Sequence, residues 1–265
     1  MNKMKDTKIL LTVSYVGTSY CGYQVQPNGI TIQEVLGNAA KALFGYECDV
    51  VGCSRTDSGV HARGFCVAIS KKGEEALPTA IPAERIARAM NAHLPCDIAA
   101  LRSRVVPADF HPRYDVASKE YEYLIYNGRE RNPFYEERAW HIPTPIDDAA
   151  LTAMQAAAAA FVGKKDFSAF RAVGADTEAA DAVRTVFSAV VKREGDLISF
   201  RVRADGFLYH MVRIMAGTLV AVAKGSLAAE DVPTLIEQKD RRKMGVTAPA
   251  GGLYLDKVFY PTVTP

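Results

Sequence analysis

The stretch Ser54-Arg-Thr-Asp-Ser-Gly-Val-His-Ala-Arg-Gly64 gathers more reactive side chains than any other in the chain. One carboxylate (Asp57), two guanidinium groups (Arg55 and Arg63), an imidazole (His61) and two glycines fall within eleven residues, between two apolar runs. Polar loops carried by rigid strands are common sites of function. A carboxylate here can act as nucleophile or base. Gly59 can take a positive φ and let a substrate backbone approach closely. The plainer reading is a polar turn, because Thr56, Asp57, Ser58 and Gly59 all favour turns and the arginines can simply be solvated. A triad of Asp57, His61 and a serine lacks support, since no GxSxG elbow occurs and triad partners come from separate places.

The elements that must carry this loop are legible on both sides of it. Ile9, Leu11, Val13 and Tyr15 alternate, which predicts a half-buried strand over Lys8–Tyr15. A Gly/Pro/Asn-rich loop follows. Thr31 and Glu34 have capping-box spacing, and Ile32, Val35, Leu36, Ala39, Ala40 and Leu43 recur at helical intervals before Gly45 stops the helix. A short strand, the polar loop, a strand Phe65–Ser70, a helix opening at Pro82 and a strand Asp97–Val106 complete this half. The second half starts near Pro107. It has a strand Lys119–Tyr126, a helix from about Asp147 to Phe161, strands Arg184–Val191 and Leu197–Ala204, a helix around His210–Val222, a shorter helix, and a strand Leu253–Tyr260. Strand pairs alternating with helices predict an α+β fold with a mostly antiparallel sheet and helices packed on it. The first half fits a split βαβ, ferredoxin-like unit. The expected domains are residues 1–106 and 107–265.

The 265 residues carry a formal net charge of +2, so the chain is not a polycation. Five scattered cysteines with no CxxC pair read as reduced thiols of a cytosolic protein. The five histidines show no HxxxH spacing, which leaves a zinc site without sequence support. The N-terminal MNKMKDTKILLTVSYVG lacks the long apolar core of a signal peptide, and no run approaches a membrane span.

RTDSGVHARG at Arg55–Gly64 resembles the RTDAGVHAxG motif of TruA-type tRNA pseudouridine synthases. Six further segments resemble that family's motifs, in the family's order. They are YVGTSYCGYQVQPNGITIQEVL from Tyr15, NAHLPCDIAA from Asn91, DFHPRYDVASKEYEYLIYN from Asp109, KKDFSAFRA from Lys164, DGFLYHMVRIMAGTL from Asp205 and GGLYLDKVFY from Gly251. Seven ordered matches over almost the whole chain are specific in a way no single one is. Val16, Tyr23 and Ser58 depart from the family's usual Asp, Trp and Ala, and Asp205–Gly206 replaces its usual small or Asn-containing pair. None of these removes a group the chemistry needs.

The resemblance implies a pseudouridine synthase fold, with two ferredoxin-like, RRM-like halves joined through the sheet. It also implies isomerisation of uridine to pseudouridine at positions 38, 39 and 40 of the tRNA anticodon stem-loop. Asp57 is then the catalytic carboxylate, attacking C1′ or removing the C2′ proton. Tyr121 stacks on the base, Arg213 pairs with Asp57 and Leu253 closes the pocket. Arg55 enters the space left by a flipped nucleotide, whose unstacking costs about a few kcal/mol. Arg63 is a candidate phosphate contact, as are Arg129, Arg131 and Arg171, with RNA affinity falling as salt rises. No cofactor and no metal is implied, and the family form is a cytoplasmic homodimer with tRNA as partner. His61 is expected to be structural and Tyr123, on the same face as Tyr121, fits ordinary strand packing; His111 and His210 match family motifs, with no physical reason to call them catalytic. The contrasting reading is a catalytically silent RNA-binding module that uses EYEYLIYN as an exposed aromatic platform.

Overall fold

The computed structural model describes residues 7–172 and 181–261, an α+β chain that divides into two compact units. One unit is Met1–Ala117 together with Leu255–Pro265, and the other is Ser118–Tyr254. This differs from the expected division at residue 107: residues 107–117 and the chain from Leu255 onward go with the first unit.

The first unit contains β1 (Thr7–Tyr15), α1 (Ile32–Phe44), β2 (Cys48–Gly52), β3 (His61–Lys71), α2 (Ala83–Met90) and β4 (Ile98–Pro107). The strands lie in the order β4-β1-β3-β2, and each neighbouring pair is antiparallel. That is the split βαβ arrangement expected from the element order. Thr31 caps α1 by accepting from the Glu34 N–H at 3.3 Å, and Gly45 ends it in the left-handed region at φ 78°. The helix buries Ile32, Leu36, Ala39 and Ala40, while Val35 and Leu43 lie half-buried at the edge of that face. Ile9, Leu11, Phe65, Val67 and Ile69 from the sheet and Ile86 and Met90 from α2 are fully buried.

β3 starts at His61, four residues before its expected start at Phe65. Ala62 already pairs with Tyr15, and His61 and Ala62 are buried while Arg63 is exposed. The strand therefore begins inside residues that read as polar loop, and its first residues carry no in-out alternation that could have announced it. The loop proper shrinks to Cys53–Val60.

The second unit contains β5 (Ser118–Tyr126), β6 (Trp140–His141), α3 (Asp148–Ala159), β7 (Gly163–Asp166), β8 (Val183–Glu194), β9 (Leu197–Ala204), α4 (Met211–Ala223) and α5 (Val232–Gln238). β5, β9, β8 and β7 form an antiparallel sheet in that order, and β6 lies parallel to β5. Asp147 caps α3 by accepting from Ala150 N–H at 2.8 Å. α4 is apolar nearly all round, and ten of its residues, from Met211 to Val222, are buried, as a central helix requires. A last strand, β10 (Leu253–Phe259), opens in the second unit with Leu253 and Tyr254 and continues in the first. Among the described residues, no helix is long and apolar enough to cross a membrane.

Candidate active site

In the first unit, the Asp57 loop is pinned on both flanks to the end of β1 and the segment that follows it. The buried Thr56 hydroxyl shares a 2.9 Å hydrogen bond with the Tyr15 hydroxyl, and the Thr56 carbonyl accepts from Tyr23 N–H at 3.1 Å. On the other flank, His61 is buried and its Nδ1 accepts from Gly17 N–H at 2.9 Å. The ring proton is then on Nε2. Between these anchors the chain turns: Val60 N–H donates to the Asp57 carbonyl at 3.2 Å, with Gly59 at φ 78°. Gly22 closes against the loop from outside. Its φ is +78°, and a Cβ there would stand 2.5 Å from the Thr56 carbonyl oxygen, so only glycine fits.

Ser58 does not serve Asp57. Its hydroxyl donates to the Tyr20 carbonyl at 3.1 Å, which ties the turn again to the segment after β1. The Tyr20 hydroxyl in turn donates to Asp97 Oδ1 at 2.7 Å. Burial, and then the Asp97 carboxylate, push this phenol well above the ordinary tyrosine range, so it remains a donor. Three of the recognised segments therefore converge on one loop. Of the other departures, Tyr23 is buried with its ring stacked on Phe65 at 4.5 Å, and Val16 donates its N–H to the Asp97 carbonyl at 2.9 Å. Arg55 is exposed. Arg63 is partnered on β10, Nη1 to Asp256 Oδ1 at 3.3 Å.

The second unit holds Tyr121, Arg213 and Leu253. Tyr121 lies on β5 opposite Val202, is 6% exposed, and meets the Phe207 ring edge-on with centroids 5.0 Å apart. Arg213 is the third residue of α4. Its Nε donates to the Ala248 carbonyl at 2.8 Å, and Ala248 N–H donates back to the Arg213 carbonyl at 3.2 Å. Tyr123 is fully buried, and its hydroxyl donates to the Pro249 carbonyl at 2.8 Å. That bond anchors the turn Ala250–Gly252, which leads to the buried Leu253 at the start of β10. Tyr123 is thus a structural residue. So is His111, whose Nδ1 accepts from Arg113 and Tyr114 N–H at 3.2 and 3.3 Å. Burial, then Arg113, hold its imidazole below the ordinary value.

The exposed aromatic platform is not present: Tyr121, Tyr123 and Tyr126 are all buried. The remaining cations separate by partner. Arg129 and Arg131 are exposed, with Glu130 3.7 Å from Arg129. Lys165 Nζ donates to the Ala160 carbonyl. Arg241, which the sequence groups with Arg242 and Lys243, turns instead toward Gly245 and Thr247. Sequence reasoning also passed over Tyr15, Tyr20 and Phe207. Each lies inside a recognised segment, but its partner is remote in sequence or hidden by the plain look of an aromatic residue.

A family model described as tRNA pseudouridine synthase matches residues 11–115 and 157–261. The tRNA pseudouridine synthase A of Acetivibrio thermocellus is 41% identical over 258 residues, covering 97% of this chain and 100% of its own. That of Moorella thermoacetica is 43% identical over 252 residues, covering 94% and 98%, and that of Citrifermentans bemidjiense is 42% identical over 253 residues, covering 95% and 97%. With ordered motifs, a matching fold and relatives of this closeness over their whole length, the chain belongs to the tRNA pseudouridine synthase family, in its TruA-type branch.

Proposed function

We propose that the protein isomerises uridine to pseudouridine at positions 38, 39 and 40 of the tRNA anticodon stem-loop, with Asp57 acting at the ribose. The C1′–N1 bond breaks, the uracil turns, and C1′ joins C5. The C5 hydrogen leaves as a proton and N1 gains one, so no electrons are exchanged and no redox cofactor is called for. Asp57 has two routes: attack on C1′ to give a covalent intermediate, or removal of the C2′ proton to give a glycal. The observation that carries the reading is the pinned loop. Thr56 and His61 are tied down on either side, and Asp57 is presented on the turn between them. A carboxylate held in this way can meet an anomeric carbon without an ordering cost at the moment of reaction.

The remaining roles follow the same reading. Tyr121 faces the uracil, its ring angle fixed by Phe207. Arg213 keeps Asp57 ionised when substrate excludes water, since an adjacent cation opposes the effect of desolvation. Leu253 closes the pocket over the base. Arg55, exposed on the loop, fills the space of the flipped nucleotide. Arg63 contacts phosphate in competition with Asp256. The working form is a cytoplasmic homodimer on one tRNA.

The test is tritium release from a tRNA transcript carrying 5-tritiated uridine, without added metal or cofactor, with the product mapped. Release with pseudouridine at 38–40, falling by about 10²–10⁴-fold or more in Asp57→Ala, is expected. Folded protein that binds tRNA tightly but releases no tritium would overturn the enzyme reading in favour of a binding module.

A further inference from the structure

Three consecutive cations, Arg241, Arg242 and Lys243, form a 3-10 turn after α5, yet they behave differently. Arg242 is exposed and pairs with Asp240, Nη2 to Oδ2 at 2.9 Å. Lys243 Nζ donates to Gln238 Oε1 at 2.6 Å. Arg241 is half-buried and turns toward residues further along its own chain. Its Nη1 donates to the Gly245 carbonyl at 2.9 Å and its Nη2 to Thr247 Oγ1 at 3.1 Å.

The segment held by this fork runs along α4. Gly217 of α4 touches it so closely that a Cβ would stand 1.8 Å from the Val246 carbonyl oxygen. Gly245 N–H donates to Thr218 Oγ1 at 3.1 Å. The next contact is Ala248, fully buried, which exchanges two hydrogen bonds with Arg213. Arg241 and Arg213 are thus the two ends of one short chain of contacts, all within the second unit.

We propose that Arg241 is a positioning residue for the reaction: by holding residues 245–248 against α4, it sets the Ala248 carbonyl and through it the plane of the Arg213 guanidinium. This rests on the reading of Arg213 as the partner of Asp57. A planar two-nitrogen fork suits the task, since it reaches a carbonyl and a hydroxyl at once. Lysine offers a single point of attachment. The Ala248–Arg213 bond is to Nε, which fixes the guanidinium plane and leaves its orientation to the carbonyl.

The experiment is a kinetic cycle on the full-length protein with tRNA, comparing Arg241→Ala, Arg213→Ala and the double variant, with Arg242→Ala as a neighbour control. Arg241→Ala should lower kcat by about 10- to 100-fold with KM within about threefold, the signature of a mispositioned group. The double variant should be no slower than Arg213→Ala alone, and Arg241→Lys should restore kcat in part. Independent, multiplicative effects in the double variant, or a change in KM alone, would overturn the inference while leaving Arg213 in its role. Wild-type kcat in Arg213→Ala would instead remove the Arg213 reading, and this inference with it. If Arg241→Ala does not fold, Thr247→Val deletes one of the two acceptors. It should slow the wild type by about 2- to 10-fold yet leave kcat unchanged in the Arg213→Ala background, and equal slowing in both would overturn the inference.

Discussion

His61 stands four residues beyond Asp57, buried, with its Nδ1 accepting from the Gly17 N–H at 2.9 Å. An imidazole fixed in this way serves the loop by its shape and its lone pair. His61→Ala leaves that amide without its acceptor and opens a void, so urea denaturation should show a loss of about 2–4 kcal/mol. His61→Asn places an oxygen close to the Nδ1 position and should recover at least half of it, with kcat near that of the wild type. A proton-transfer role would be revealed by a stable Asn variant whose kcat collapses. At this scale the candidate residues were legible and their support was not. Asp57 and Arg55 announce themselves by type and crowding, and the motif places them. The Ser58 hydroxyl is next to Asp57 in sequence, yet it binds the Tyr20 carbonyl, 38 residues away. A hydroxyl takes whichever acceptor the fold brings near, and sequence proximity does not decide which.

Helix ends were read well because their signals are local: Thr31, Gly45 and Asp147 each do what their residue type predicts. The segment KKDFSAFRA resembled a motif without revealing its device, which lies in Asp166. Its Oδ1 accepts from the Ser168 N–H at 2.9 Å and hydroxyl at 2.5 Å, and its Oδ2 meets Lys239 Nζ at 2.7 Å. These bonds join the turn Ser168–Phe170, with Phe167 and Phe170 fully buried, to the end of α5. Burial pushes the Asp166 carboxyl up, but Lys239 and Ser168 outweigh it and hold it at about 2, below the ordinary aspartate range. A depressed folded-state value means the stabilisation is complete above about pH 4 and is lost as pH falls toward 2. Asp166→Asn should therefore cost about 1–2 kcal/mol at pH 7, discounted for partial solvent screening, with the two proteins converging near pH 2. Parallel stability curves across the acid range would show that the carboxylate contributes nothing through its charge. Arg241 belongs to the same class of hidden device. In sequence it is one of three adjacent cations, and only the return of residues 245–247 gives it acceptors.

Local periodicity gave β10 as the last strand of a second domain, because it follows that domain's helices in sequence. It is instead divided, with Leu253 and Tyr254 in the second unit and Leu255–Phe259 in the first. There β10 lies beside β3, close enough that a Cβ on Gly64 would stand 2.5 Å from the Asp256 carbonyl oxygen. Phe259 accepts from Ala117 N–H at 2.8 Å, Asp256 pairs with Arg63, and Leu255 and Val258 are buried. Which strand a segment pairs with depends on contacts nearly two hundred residues apart, and no window of sequence contains them. The consequence concerns how the molecule can be divided. A fragment of residues 1–117 has all six elements of a ferredoxin-like unit but lacks a strand along β3, so it exposes an open edge and the apolar surface that Leu255 and Val258 cover. It should melt broadly and bind a hydrophobic dye. A synthetic peptide of residues 253–261, added in trans, should restore a cooperative melt by filling that edge, with the midpoint rising as peptide concentration rises. A peptide carrying Leu255→Asp and Val258→Asp should not. A fragment that melts sharply alone and ignores the peptide would show that the first unit is complete without its returning strand.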